Sequence, residues 1–293
     1  MARDDGAGIS FDLVTCVAAK DVAKFLVFLP FIKRNIKPNR IFVISRLGLQ
    51  KELASEDIHF IDEDAVIPGV TYDQLREWIT TINPNAAGRT GWYFQQFLKM
   101  GASYIPSLED HYLLWDSDLA PFRRLRFFEK DGRVLLAPGT HQHGPYFITM
   151  RKLLPLQPQT ALSFISEHMM VKTGIMKELI RTIEGEPGGS WVRNCLRAVG
   201  REDLPYSGFA EYETYGHYLA ANYPDSYRVR TLKYLRSGAT YAREPQKWFL
   251  IACSFVFDIG AFEQWSPSLF QRFRLGIREM ALRLGVSLPS SSS

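Results

Sequence analysis

The sequence predicts an α/β protein built on a doubly wound, mostly parallel sheet flanked by helices, with a C-terminal α/β extension. Three observations lead there. The runs FDLVTCVA (11–18) and RIFVIS (40–45) are continuously apolar rather than alternating, as strands covered on both faces are. A segment with helical spacing separates them, and strand, helix, strand in that order implies a parallel crossover. The 293 residues are 46% hydrophobic and 13% aromatic, enough to bury a core of that size.

Each element follows from local pattern. AKDVAKFLVFLPFIKRNI (19–36) places Val22, Phe25, Leu26, Leu29 and Ile32 on one helical side, and Pro38 stops it. IHFIDED (58–64) reads as a third strand. TYDQLREWITTI (71–82) and GWYFQQFLKMGAS (91–103) read as helices around the loop NPNAAGRTGW. HYLLWDSD (111–118) is the fourth strand, and GRVLLAP (132–138) the fifth after a turn at Asp131–Gly132. ALSFISEHMMVKTGIMKELIRTIE (161–184) reads as a short strand feeding a long helix. WVRNCLRAVG (191–200) and GFAEYETYGHYLAANYP (208–224) are further helices.

The net charge of +4 is mild. It is weaker than that of a dedicated nucleic-acid binder, so nucleic acid is not an expected partner. It suits an anionic small molecule or an anionic membrane surface. Cys16, Cys195 and Cys253 are far apart with no CxxC spacing, which argues against a disulfide framework or zinc site and for a reducing, cytoplasmic setting. MARDDGAGIS has no apolar signal core, and FLVFLPF and WFLIACSFVF are too short to span a bilayer.

Asp116 and Asp118 close the apolar run HYLLW. At i and i+2 on a strand their side chains share a face. Two converging carboxylates repel each other unless a cation sits between them. Hard divalent cations take oxygen ligands and complete their shell with substrate phosphates. The stretch therefore suggests a diphosphate bridged by Mn²⁺ or Mg²⁺. Ligands of doubly wound sheets bind beyond the carboxyl ends of the strands, which singles out Thr15–Ala18, Ser45–Arg46 and Asp62–Asp64. HQH (141–143) puts two histidines on one strand face, with no third ligand nearby. FRRLRFF (122–128) is a short basic segment, read as a solvated helix face or a contact with anionic lipid.

RTGWYFQQFLKMGAS with DHYLLWDSDLAPFR resembles the DxD region of GT-A-type glycosyltransferases. SFISEHMMVKTGIMKELI and FAEYETYGHYL resemble the downstream blocks of a poorly characterised bacterial branch linked to polysaccharides. The resemblance covers roughly residues 10 to 220. It implies a UDP- or GDP-sugar donor, a glycan or lipid-linked acceptor, and a role in surface polysaccharide synthesis in the cytoplasm, with peripheral contact at the inner face of the membrane. Asp118 would be the main metal ligand, and Asp116 would contact the ribose or a metal-bound water. Thr15 to Ala18 would lie against base and ribose, Arg46 against base or phosphate, and Asp62 would accept from the base. Trp92, Tyr93 and Gln96, on the helix before the DxD strand, would approach the sugar or pyrophosphate. His168 and Lys172, read as one helical turn apart, would hold a sugar hydroxyl and neutralise the diphosphate. Glu211 and Glu213 are candidates for the acceptor's general base. Residues i and i+2 on a helix do not share a face, so at most one serves, with Glu211 slightly favoured. A retaining enzyme would need neither. His217, four residues beyond Glu213, is a further candidate metal ligand.

The expected organisation is a disordered tail 1–8, a nucleotide-sugar-binding and catalytic domain 9–225, an extension 226–288 packed on it, and a flexible tail 289–293. Two alternatives stand beside this reading. One is a haloacid-dehalogenase-like phosphohydrolase with Asp116 as nucleophile. The other is a non-catalytic nucleotide- or sugar-binding module.

Overall fold

The computed structural model describes residues 8–139, 143–156, 162–186, 188–242 and 244–263. His141, much of the extension 226–288 and the terminal tails lie outside or largely outside them. In chain order the elements begin with β1 (Asp12–Cys16), α1 (Val22–Asn35), β2 (Ile41–Ser45), β3 (Ile58–Asp62), α2 (Tyr72–Ile82), α3 (Thr90–Gly101) and β4 (His111–Trp115). Next come β5 (Leu119–Pro121), β6 (Val134–Leu136), α4 (Gly144–Leu153), β7 (His168–Lys172), α5 (Thr173–Glu184), α6 (Trp191–Val199) and α7 (Glu211–Asn222). The last described elements are β8 (Tyr227–Val229), β9 (Tyr234–Leu235), α8 (Gly238–Tyr241), α9 (Lys247–Cys253) and β10 (Ile259–Ala261).

The main sheet has the order β3-β2-β1-β4-β7. The first four strands are parallel, with Thr15 opposite Val43, Ser45 opposite Asp62 and Val14 opposite Leu114. β1 and β2 are buried along their whole length, as their mostly apolar, non-alternating runs suggest. The one charge inside β1, Asp12, is neutralised at its rear edge. Arg40 binds it through two nitrogens at 3.1 and 2.7 Å, and the Glu109 amide donates to it at 2.9 Å. That clamp ties the starts of β1, β2 and β4 together and leaves their carboxyl ends level on the far side.

Two expectations need correction. The expected fifth strand, GRVLLAP, contributes only β6, which pairs with β8 outside the main sheet. The fifth strand of the sheet is β7, antiparallel to β4, with Trp115 opposite His168 and His111 opposite Lys172. The helix after it begins only at Thr173. His168 and Lys172 are therefore not one helical turn apart. They stand four strand residues apart, about 13 Å. Pairing with β4 buries His168 to Val171 on both faces, so the segment carries no alternation that would mark it as a strand.

The C-terminal part crosses back over the front of the sheet. β10 pairs antiparallel with β5 and parallel with β9. The Phe262 amide donates to the Asp118 carbonyl at 2.8 Å, and Lys24 Nζ donates to the Phe262 carbonyl at 2.8 Å. Among the described residues no helix is long and apolar enough to cross a membrane.

Helix α7 packs closely at Gly216, where a Cβ would lie 2.2 Å from Cγ of Phe164. The Phe164 amide is held by Glu213, so its ring has little freedom to withdraw. Gly216→Ala should therefore destabilise the fold by about 1–3 kcal/mol through overpacking, measured by urea denaturation. An unchanged or raised midpoint, the usual result of placing alanine in a helix, would contradict this packing.

Candidate active site

The carboxyl ends of β1 to β4 open into a cleft of about 740 Å³. Its lining includes Val17 and Ala18 after β1, Arg46 and Leu49 after β2, Glu63 after β3, one face of α3, and Asp116 to Asp118 after β4. Neighbouring strands lie about 4.8 Å apart, so the ends of β3 and β4 are about 14 Å apart across the sheet. The cleft is apolar and aromatic towards β2 and β3, with Ile44, Leu49, Tyr72 and Phe94, and carboxylate-rich beside β4.

The carboxylate end is organised by Lys99. Its side chain is 5% exposed and lies 2.6 Å from Asp116 Oδ1 and 2.8 Å from Glu211 Oε1. The Tyr212 hydroxyl donates to the same Asp116 oxygen at 3.0 Å, and its ring lies 4.4 Å from the ammonium. Burial alone would lower the Lys99 pKa. The Asp116 and Glu211 carboxylates override it and hold the ammonium well above its ordinary value. Burial raises Glu211 in spite of Lys99, and its second oxygen is buried without a hydrogen-bond partner. Asp116 is thereby fixed through one oxygen.

Asp118 is different. Burial, and then the neighbouring Asp116 and Glu263 carboxylates, push its carboxyl up to about 7. A cation beside it would reverse that penalty. The donor set is carboxylate oxygen, the type hard divalent ions take. Among the described residues no group of three or more His, Cys, Asp or Glu is gathered to hold a metal ion. The carboxylate chemistry fits an Mn²⁺ or Mg²⁺ ion, which Asp118 would hold with Asp116 adjacent.

At the other end Arg46 Nε donates to Glu63 Oε1 at 3.2 Å, and the guanidinium lies 4.9 Å from the Tyr72 ring. Burial raises the Glu63 carboxyl, with Arg46 opposing. Between the ends, Arg89 stacks on Trp92 at 4.5 Å and donates to Ser207 Oγ at 2.9 Å.

Of the residues singled out in the sequence, Ala18, Arg46, Trp92, Gln96, Asp116 and Asp118 meet at this cleft. Others do not line it. Thr15 is inside β1, and its hydroxyl is buried without a partner. Asp62 accepts from the Asp64 amide and caps the turn after β3, so Glu63 faces the cleft instead. Tyr93 points into the core, where its hydroxyl donates to the Tyr206 carbonyl and accepts from the Gly208 amide. Lys172 lies opposite His111, at the start of β4, and is 3.8 Å from Asp110. That is the edge away from the aspartates. His168 stacks near Trp115, with Nδ1 2.7 Å from the Ser166 carbonyl. Burial lowers its pKa to about 3.

Glu211 and Glu213 do face different ways. Glu211 turns to Lys99. Glu213 accepts from Ser163 Oγ at 2.5 Å and from the Phe164 amide at 2.9 Å. His217 lies 3.4 Å from Glu213, between the rings of Phe147 and Phe164, and does not reach the cleft. His143 Nε2 is 3.0 Å from the Ser207 carbonyl.

Sequence reasoning missed Lys99 and Tyr212, and within Asp62–Asp64 it assigned the contact to Asp62 rather than Glu63. Lys99 had a signal. With Trp92 and Gln96 it falls at i, i+4 and i+7 on one face of α3, a lysine within an otherwise apolar helix end.

The architecture is a mixed α/β fold with a mostly parallel central sheet flanked by helices. Residues 36–268 match the family described as "Family of unknown function (DUF6492)", and the chain belongs to it. No curated protein matches the sequence. Among solved structures, the galactosyltransferase LgtC in complex with donor and acceptor sugar analogues is similar at 11% identity and a TM-score of 0.45, over 95% of this chain and 98% of its own. Apo mouse xyloside xylosyltransferase 1 is similar at 13% identity and 0.40, over 88% and 99%. The mannosyltransferase Ktr4p from S. cerevisiae in complex with GDP is similar at 10% identity and 0.41, over 70% and 68%.

Lys99→Met should lower the unfolding free energy by about 3–5 kcal/mol, because buried Glu211 loses its cation and Asp116, 19% exposed, loses the same partner. Adding Glu211→Gln to that variant should recover part of the loss. Urea denaturation of single and double variants checks this, and an equal loss in both would contradict the pairing.

Proposed function

We propose that the chain is a metal-dependent glycosyltransferase. It moves a sugar from a nucleotide-sugar donor to a hydroxyl of a glycan or lipid-linked acceptor, in surface polysaccharide synthesis. The observation that carries the reading is the two-ended cleft. An aromatic, apolar end suits a nucleobase, and a carboxylate end about three strand spacings away suits a cation with a diphosphate. The DxD resemblance supports the same assignment. The proposed setting is the cytoplasm, with peripheral contact at the inner face of the membrane.

In the reaction the bond between the anomeric carbon and the donor's terminal phosphate oxygen breaks, and a bond to the acceptor oxygen forms. The acceptor's proton leaves to the departing diphosphate or to solvent. Asp118 would hold a divalent ion, which when bound would stabilise the charge left on the nucleoside diphosphate. Ala18, at the end of β1, leaves room for the ribose. Lys99 fixes the Asp116 carboxylate in place, so that it orients the donor without reorganising during the reaction. Glu211 is a positioning residue for Lys99, and Glu213 fixes the 163–164 loop to α7. The phosphohydrolase alternative asks Asp116 to act as nucleophile. Lys99 and Tyr212 both bind its Oδ1, which leaves only Oδ2 for that role.

Ligand binding raises apparent stability with the logarithm of concentration over Kd. A thermal-shift panel of nucleoside diphosphates and nucleotide sugars should give a shift that requires Mn²⁺ or Mg²⁺ and is lost in Asp118→Ala. No shift with any nucleotide, in the presence of either metal, would contradict the reading.

A further inference from the structure

We infer that the cleft selects a guanine nucleotide and that Glu63 is the residue that reads the base. The inference rests on the reading of the cleft as a nucleoside diphosphate site. The diphosphate belongs at the carboxylate end beside β4, so the base falls at the opposite end. There Ile44, Leu49, Tyr72 and Phe94 form apolar walls, and Arg46 and Glu63 are the polar groups beside them.

The two charges are not equivalent. The Glu63 side chain is 17% exposed and that of Arg46 is 64% exposed. Glu63 is the shielded, fixed partner, and Arg46 is the outer one that can move aside. The turn carrying Glu63 is held on both sides. Asp62 caps it by accepting from the Asp64 amide, and Asp64 in turn accepts from the Tyr72 amide at 2.6 Å. The backbone that carries Glu63 and the backbone that carries Tyr72 are thus held in one fixed relation.

An ionised carboxylate only accepts hydrogen bonds, so the base that satisfies it must donate. Guanine presents N1–H and its exocyclic amine side by side, two parallel donors matched to two carboxylate oxygens, much as a guanidinium is. Its O6 and N7 are acceptors, within the chemistry of a displaced Arg46. Uracil offers one N–H between two carbonyls, one of which would face the second carboxylate oxygen. Adenine and cytosine each pair one amine with a ring nitrogen that accepts. Hypoxanthine keeps N1–H and lacks the amine. A site built to bind a donor discriminates strongly against an analogue that lacks it. Base–aromatic stacking on Tyr72 adds affinity common to all bases.

The test is isothermal titration of GDP, IDP, UDP and ADP, each with Mn²⁺, into the wild-type chain, Glu63→Gln and Asp118→Ala. The wild type should bind GDP best, about tenfold or more tighter than IDP. In Glu63→Gln that GDP-to-IDP ratio should fall to about twofold or less, because the amide replaces one acceptor by a donor. The wild-type comparison stands on its own should the variant fold poorly. Tighter binding of UDP or ADP than of GDP, lost in Asp118→Ala, would overturn the guanine assignment and leave the donor site intact. A GDP-to-IDP ratio unchanged in Glu63→Gln would overturn the role of Glu63. Binding of none of the four would overturn the nucleoside diphosphate reading and this inference with it.

Discussion

The buried ammonium of Lys99 organises the carboxylates at the front edge of the sheet. Lys99 reaches from α3 between Asp116, at the end of β4, and Glu211, at the start of α7. Three elements distant in sequence are bound at one charge. Without it, the buried Glu211 carboxylate would be left uncompensated beside Asp116 at the cleft wall. With it, Asp116 holds one orientation, while Asp118, two residues on, has its carboxyl raised by burial and by the carboxylates beside it. The electrostatics of the site follow from that division of labour.

The backbone supplies the complementary constraint. The Asp12–Arg40 clamp aligns the rear of β1, β2 and β4, and parallel pairing carries the alignment forward to the cleft. The four carboxyl ends then form a ruler with steps of about 4.8 Å. A ligand long enough to touch both Glu63 and Asp118 must lie across it. β10 closes one side of the arrangement by hydrogen bonding at Asp118 itself, and Glu263, just beyond it, adds a carboxylate to the lining.

Much of this was legible in the residues. Strands buried on both faces announce themselves as unbroken apolar runs, so β1, β2 and β4 were clear, as was the edge where ligands bind. The DxD pair stood out because two charges ending such a run need a reason. β7 was hidden for the same physical cause that made β1 visible. Buried on both faces and joined directly to α5, HMMVK has no alternation to separate it from a helix, and His168 and Lys172 were misplaced with it. Glu211 and Glu213 were known to face apart, but nothing local says which partner each meets. Glu63 was passed over for Asp62, one residue away, because the turn after β3 decides which of them faces the cleft.

A nucleoside diphosphate bound as proposed would lie across the strand ends, base towards β3 and phosphates towards β4. A crystal structure of the chain soaked with GDP and Mn²⁺ tests this placement most directly. The expected result is an anomalous manganese peak beside Asp118, diphosphate density against it, and the base against Tyr72 within hydrogen-bonding distance of Glu63. Manganese or nucleotide density away from this cleft, or a nucleotide lying in it with the base beside Asp118, would contradict it.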